Sequence, residues 1–241
     1  MKKKLMNIKL LLAALYLLLI IVGGLYLFIN YNISDFFSYE FIRSNKDTIL
    51  TYKKENFLAL ALLFFIFSII WTLSFGFAGP LLIFSGFVFG KWWGILLTLT
   101  STTIGATLLY MLASLFFRDI IEKKLAPKFS NLKKLFKKNE LIYFMCFRFI
   151  GGGGTPYGIQ NVIPVMFNMN LKNYILATYI GSMPSMFVTV ALGSGVENII
   201  DKNTELSIFT VLSSPEIYIP ITGFFVILIL GFFIKRTFFK N

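Results

Sequence analysis

The amino-acid sequence predicts an all-α, polytopic membrane protein that contains two re-entrant helical hairpins in an inverted repeat. Its composition is 57% hydrophobic with a mean hydropathy of +0.77, which is too apolar for a soluble domain. Several apolar stretches are long enough to cross a bilayer, and lysines and arginines cluster at their ends. Two apolar stretches are interrupted by glycine and proline, residues that disfavour a continuous helix.

The chain begins with a predicted membrane anchor helix at residues 1–30. Three lysines precede an apolar run over residues 10–29, which is about 20 residues and therefore long enough to span. No small-residue cleavage site follows this run, so we expect a retained helix whose N-terminus is cytoplasmic. Residues 31–55 carry balanced charge and are predicted to form an extracytoplasmic connector.

Residues 56–195 are predicted to form the core of the protein. The predicted parts, in chain order, are a re-entrant hairpin at 57–90, a span at 92–117, a basic cytoplasmic segment at 118–140, a second re-entrant hairpin at 141–171 and a span at 173–195. Residues 196–241 are predicted to contain an outer loop, a last span and a basic cytoplasmic tail.

The inverted repeat follows from counting membrane crossings. Because the span 92–117 ends in the basic cytoplasmic segment, it starts outside, and the hairpin 57–90 must leave and re-enter the outer face. By the same argument the hairpin 141–171 enters from the cytoplasm and returns to it. Paired hairpins from opposite faces are a plan known from transporters. As an alternative, residues 57–75 are long enough to span alone, in which case residues 77–91 would cross back.

The second hairpin contains FRFIGGGGTPYGIQN, residues 147–161, where Arg148 lies beside four glycines and a proline. A charge beside broken backbone at membrane depth indicates a functional site. Guanidinium binds phosphate oxygens, and successive backbone N–H groups of a glycine turn form an anion-binding nest. The sequence therefore predicts capture of an anionic headgroup, with a structural ion pair or a cap on exposed carbonyls as the alternative.

The first hairpin contributes a stripe of small residues. Gly86, Gly90 and Gly94 recur every four residues and would line one helix face, where another backbone can approach closely. This stripe predicts either helix packing or a thin wall beside a pathway. The predicted substrate-binding residues are Arg148, Gly151, Gly152, Gly153, Gly154, Thr155, Pro156, Gln160, Asn161, Gly86 and Gly90.

The sequence gives no support for catalysis, a metal or a cofactor. It contains no histidine and one cysteine, Cys146, which lies in an apolar run and is expected to pack. No acidic residue occurs between Glu55 and Asp119 or between Glu140 and Glu197. Since a proton relay needs a titratable group inside the membrane, we expect movement of a substrate without a carboxylate relay.

Two blocks of the sequence resemble the SNARE-associated Golgi protein family, which comprises VTT-domain and DedA-like membrane proteins. The first block, SGFVFGKWWGILL followed by IGATLLYMLAS, is similar to the family pattern G-x-x-F-G-x-x-x-G. The second block joins FRFIGGGGTPYGIQN to YILATYIGSMPSMFVTVALGSG, in which Gly181 and Pro184 match a G-x-x-P helix. The resemblance covers roughly residues 57–195.

This resemblance implies hairpins that face each other and a role in moving or scrambling phospholipids or lipid-linked phosphates across a bilayer. The expected partners are membrane lipids with anionic headgroups, with a homo-oligomer as a further option and no nucleic acid. We expect a multi-pass protein of the cell (inner) membrane with both termini in the cytoplasm. A non-transporting membrane organiser or partner-binding scaffold is the alternative function, and an intramembrane enzyme is a third.

Overall fold

The computed structural model describes residues 39–74, 76–124, 138–149 and 155–201, together with Phe136 and isolated positions within the segments 15–26 and 215–229. Throughout these residues the regular structure is helical, as the sequence predicts. Apart from the isolated positions, the predicted anchor, the last span and the cytoplasmic tail lie outside the described residues. The same holds for most of the basic segment and for the four glycines.

Five α-helices and one 3₁₀ helix are described. They are α1, Tyr39–Leu73; α2, Ala78–Lys124; α3, Glu140–Phe149; α4, Tyr157–Val162; the 3₁₀ helix, Ile163–Phe167; and α5, Leu171–Asp201. Within the part of the chain that the structure describes, three stretches are long and apolar enough to cross a membrane, namely Thr51–Leu73, Ala78–Arg118 and Leu171–Gly195. The prediction of an all-α membrane protein is therefore confirmed.

Helix α1 joins the end of the predicted connector to the first apolar stretch. Its backbone leaves helical geometry at Asn56, where φ is −131° and ψ is 39°. Beyond this point the buried residues are Ala61, Phe64, Ser68 and Thr72, which recur every three or four positions and so form one face. The opposite face is apolar and exposed, as expected for a helix that contacts lipid.

Helix α2 folds back on itself at Gly90, whose φ of 74° and ψ of 173° are disfavoured for residues with a Cβ. In a straight helix Ser85 and Gly94 would lie about 13 Å apart along the axis. Instead, a Cβ on Gly94 would lie 2.8 Å from the carbonyl oxygen of Ser85. Helix α2 therefore has two arms, a first arm of residues 78–89 and a second arm of residues 91–124.

The apolar half of α1 packs against the first arm of α2 in the opposite direction. The ring centroids of Phe57 and Phe89 lie 6.0 Å apart, and those of Phe64 and Phe84 lie 6.1 Å apart. The earlier residue of α1 contacts the later residue of the first arm, and the later residue of α1 contacts the earlier one. The two helices are therefore antiparallel. The chain between residues 57 and 90 thus leaves one end of the molecule and comes back to it.

The same half of α1 runs parallel to the second arm of α2. Phe57 contacts Trp93 with ring centroids 5.8 Å apart, near the start of both helices. Further along, a Cβ on Gly105 would lie 2.8 Å from the carbonyl oxygen of Ile69. The second arm therefore starts beside the beginning of this half of α1 and extends past its end.

A second fold-back lies between α3 and α5, and its two ends are joined by Glu140. One carboxylate oxygen of Glu140, Oε1, accepts hydrogen bonds from the backbone N–H of Asn170 at 3.0 Å and from Nδ2 of Asn173 at 2.6 Å. Nearby, the guanidinium of Arg118 donates a hydrogen bond to the side chain of Asn168. The segment 140–170 therefore begins and ends at the same end of the molecule, where the second arm of α2 also arrives.

Helix α5 packs against both fold-backs through glycines. A Cβ on Gly181 would lie 2.5 Å from the carbonyl oxygen of Met145 in α3. A Cβ on Gly86 would overlap the Val190 carbonyl oxygen, and one on Gly193 would overlap that of Ile83. These contacts bring helix backbones together more closely than any larger residue allows.

The tips of the two fold-backs meet at one apolar cluster. Its buried members are Leu82, Ile95, Leu99, Met186 and Val190, from both arms of α2 and from α5. Ala78, at the tip of the first fold-back, packs against this cluster, and so does Tyr157, at the tip of the second. The two tips therefore share one core although their bases are formed by different parts of the chain.

We predict that Gly86→Ala lowers the free energy of unfolding by about 1–3 kcal/mol, because the added methyl group would overlap the backbone of α5. Gly79→Ala is the matched control, since no atom outside its own helix backbone and its chain neighbours lies within 4 Å of its Cβ position. It should leave stability unchanged or raise it by up to about 1 kcal/mol through helix propensity. Thermal unfolding in detergent checks both; equal stability of the two variants would contradict the contact.

Candidate functional site

The candidate site is built around Arg148, which lies in the last turn of α3 and is only 2% exposed. Two aromatic rings contact its guanidinium carbon, Phe144 at 4.9 Å and Tyr157 at 5.2 Å from their centroids. Phe144 precedes Arg148 by four residues, which places both on one face of α3. Cation–π attraction to these rings partly replaces the water that the charge loses on burial.

The terminal nitrogens of the guanidinium donate to three side chains from two other helices. Nη1 donates to Oε1 of Gln160 at 3.2 Å, and Nη2 donates to Oδ1 of Asn161 and to the hydroxyl of Tyr174 at 3.3 Å. Gln160 and Asn161 belong to α4, whereas Tyr174 belongs to α5. Arg148 therefore ties both sides of the second fold-back to the helix that follows it.

The second arm of α2 contacts Tyr174 and so supports the site. The Tyr174 hydroxyl donates to the carbonyl oxygen of Ala106 at 3.0 Å, and its ring stacks on Tyr110 with centroids 4.4 Å apart. The Tyr110 hydroxyl donates to the carbonyl oxygen of Met169 at 2.6 Å. These contacts fix the position of Tyr174, and Tyr174 in turn fixes the guanidinium of Arg148.

The charge of Arg148 has no acidic partner among the described residues. Its hydrogen-bond acceptors are amide and hydroxyl oxygens, and no acidic residue occurs in the sequence between Glu140 and Glu197. An arginine stays protonated in proteins, so the site keeps a full positive charge away from water. Such an environment is electrostatically complementary to an anion.

The structure brings together three of the residues predicted to bind substrate, Arg148, Gln160 and Asn161. Two more lie next to them at the start of α4: the carbonyl oxygen of Thr155 accepts a hydrogen bond from Nε2 of Gln160 at 2.6 Å, and Pro156 precedes the helix. Binding of a ligand by these residues stays a prediction.

The other predicted residues fall into two groups. Gly151, Gly152, Gly153 and Gly154 lie outside the described residues. Gly86 packs against α5 at Val190, and Gly90 forms the turn of α2. These two glycines therefore shape the first fold-back: Gly86 contacts the backbone of α5, whereas a Cβ on Gly90 would have no neighbour within 4 Å.

Sequence reasoning missed three aromatic residues of the site, Phe144, Tyr157 and Tyr174. The four-residue spacing between Phe144 and Arg148 is a local signal that was available. Tyr157 directly follows the break at Pro156 and could have been included with it. Tyr174 is 26 residues away from Arg148 in sequence and reaches it only through packing of α5 on α3, which no local pattern indicates.

The described residues of the site offer positive charge, hydrogen-bonding groups and aromatic rings. Within the described ranges, no group of three or more His, Cys, Asp or Glu residues is placed to hold a metal ion.

Comparison with known proteins identifies a domain within the chain. The model of the VTT domain family matches residues 76–195, which contain α2 to α4, the 3₁₀ helix and most of α5. The uncharacterized protein YqeD of Bacillus subtilis (strain 168) is 31% identical over 112 residues, covering 46% of this chain and 53% of YqeD. The chain thus matches about half the length of this relative. No solved structure matches the chain. The chain therefore contains a VTT domain, which covers 120 of its 241 residues, just under half of its length.

Proposed function

We propose that this membrane protein moves or scrambles phospholipids or lipid-linked phosphates across the cell membrane and that it is not an enzyme. The observation that carries the proposal is the buried charge of Arg148, which is 2% exposed and has no acidic partner among the described residues. An ionisable group inside an apolar membrane domain marks a substrate path by default. A phosphate group would supply the missing negative charge.

The proposal places Arg148 on a re-entrant hairpin that enters from the cytoplasm. Support comes from Glu140, whose carboxylate binds Asn170 and Asn173 and so keeps both ends of the segment 140–170 together. Further support comes from length, since the ten residues of α3 extend only about 15 Å, half of the hydrocarbon thickness. The basic residues after the second arm of α2 favour the cytoplasm for this end.

The first fold-back is proposed to enter from the outer face, which makes the pair an inverted repeat. Its return at Gly90 and the antiparallel packing of Phe57 against Phe89 support a hairpin that leaves and re-enters one face. Trp92 and Trp93 are exposed beside Lys91 at this end, a combination typical of headgroup depth. Both termini of the chain are proposed to be cytoplasmic.

The proposed topology predicts which positions share a side of the membrane. In a Cys146→Ala background, single cysteines at Glu55 and Lys91 should react with an impermeant maleimide from outside. Cysteines at Lys138 and Lys172 should react only after permeabilisation. All four replaced side chains are exposed. Labelling of positions 138 and 172 from opposite sides would make the second fold-back an ordinary crossing and would contradict this topology.

Lipid movement is tested in liposomes with labelled phospholipids of several headgroups. We expect Arg148→Ala to lower the translocation rate at least about tenfold, because the headgroup phosphate would lose a charge-assisted partner. Lys91→Ala is the matched control, since it removes an exposed cation outside the site and should leave the rate unchanged.

Size-exclusion profiles and melting curves of both variants show whether the fold is retained. Equal rates for wild type and a folded Arg148→Ala protein would remove Arg148 from the mechanism. No lipid movement by wild-type protein with any headgroup would contradict the proposed function itself.

A second candidate function is a non-transporting membrane organiser that binds partner proteins. One observation favours it: the terminal nitrogens of Arg148 already have acceptors in Gln160, Asn161 and Tyr174, as a structural tie between helices requires. Absence of lipid movement together with a co-purifying partner would support this function.

A further inference from the structure

Three buried polar groups at the Arg148 site make no hydrogen bond of ordinary geometry within the described part of the chain, although the side chain of Thr102 lies near one of them, the hydroxyl of Tyr157. The three groups are Nε of Arg148, Nδ2 of Asn161 and the hydroxyl of Tyr157. Arg148 is 2% exposed and Asn161 is fully buried, so water at the protein surface does not satisfy these donors. Buried polar groups in folded proteins nearly always have a partner, and three exceptions around one cation point to a missing one.

Two of these donors are close neighbours, and the third belongs to a ring that contacts the guanidinium. Nε of Arg148 and Nδ2 of Asn161 flank the hydrogen bond between Nη2 and Oδ1, so covalent geometry keeps them within about 8 Å of each other. The Tyr157 ring lies 5.2 Å from the guanidinium carbon. The terminal nitrogens of the guanidinium are held by Gln160, Asn161 and Tyr174, which leaves the Nε edge for a ligand.

The chemistry of the donors selects the ligand. Two of them, Nε of Arg148 and Nδ2 of Asn161, only donate, and the local charge is positive, so the ligand must accept hydrogen bonds and be an anion. An ammonium group would find no carboxylate here, because the sequence has no acidic residue between Glu140 and Glu197 or between Glu55 and Asp119. The rings of Phe144 and Tyr157 already contact the guanidinium of Arg148, so a second cation at these rings would be repelled by it.

We infer that Nε of Arg148, Nδ2 of Asn161 and the hydroxyl of Tyr157 form an oxyanion subsite that binds phosphate oxygens, and that Tyr157 is a ligand-binding residue. The phosphate comes from a lipid headgroup or from free phosphate. The choice of a lipid headgroup as the ligand rests on the proposed function. Binding of an oxyanion at this subsite does not require that the protein moves lipid. The hydroxyl of Tyr157 costs stability while it is unpartnered and strengthens binding once phosphate is present.

The substitution Tyr157→Phe separates these two effects because it removes the hydroxyl and keeps the ring. Without ligand, its melting temperature should equal or exceed that of the wild-type protein. With ligand, its apparent affinity should fall at least about tenfold, the loss expected for a hydrogen bond to a charged group. The full-length protein in detergent is titrated with inorganic phosphate, and stabilisation is read from the melting temperature.

The matched control is Thr103→Val. Thr103 also carries a buried hydroxyl without a partner in the described part of the chain, but it belongs to the second arm of α2, where Gly105 packs on α1. This variant should raise or keep the melting temperature without changing the phosphate affinity. A loss of phosphate affinity as large as that of Tyr157→Phe would assign the effect to general packing and would overturn the inference.

A second arm of the experiment uses nanodiscs of phosphatidylcholine with or without phosphatidic acid. Stabilisation by phosphatidic acid that Tyr157→Phe weakens, without an effect of inorganic phosphate, supports the subsite with a lipid headgroup as its ligand. Stabilisation by inorganic phosphate alone supports the subsite with free phosphate as its ligand. Absence of stabilisation by either, or an unchanged affinity in Tyr157→Phe, overturns the inference.

The liposome assay keeps this result separate from the proposed function. Phosphate binding that depends on Tyr157, in a protein that moves no lipid, would leave the subsite standing and refute translocation. Lipid movement by the wild-type protein, together with unchanged phosphate affinity in Tyr157→Phe, would support translocation and refute the subsite.

Discussion

The buried positive charge of Arg148 is the constraint on which the second half of the structure depends. A cation withdrawn from water must be compensated, and here two aromatic rings, two amide oxygens and one hydroxyl take part. These groups come from α3, α4 and α5, so the charge determines how the three helices pack. Because α5 also contacts α2 through Tyr174 and Ala106, the same requirement extends to the neighbouring helix.

Close backbone contact is the second organising feature, and it lies mainly in the first half. Gly86 and Gly193 let the first arm of α2 approach α5, while Gly90 supplies the positive φ that reverses the chain. In lipid, apolar side chains gain little from leaving the solvent, so helices associate through packing and polar contacts. Glycine-lined contacts therefore position the first fold-back, whereas the second is positioned by the hydrogen bonds of Arg148 and Glu140 together with the contact of Gly181 on α3.

Sequence reasoning succeeded where the signal is local. Hydropathy identified the membrane helices, and the glycines and prolines marked the break near Gly79–Gly90 and an interruption after α3, which ends at Phe149. An isolated arginine marked the candidate site. Gln160 and Asn161 were selected because polar residues follow the break, and both contact Arg148. It failed where the contact is remote: Tyr174 joins the site through the packing of α5, and the donors left without acceptors are visible only when every neighbour is placed.

By itself, the sequence determined that this is a helical membrane protein with breaks in its apolar stretches and a cation beside one of them. Composition and hydropathy suffice for this, because hydrocarbon accepts few backbone arrangements, whereas the likeness to VTT-domain proteins came from two motif blocks. The tertiary structure decided which groups surround the guanidinium of Arg148, that its terminal nitrogens are occupied, and that the tips of both fold-backs share one core. These features depend on distances between residues far apart in the chain, which side-chain packing sets and no local pattern encodes.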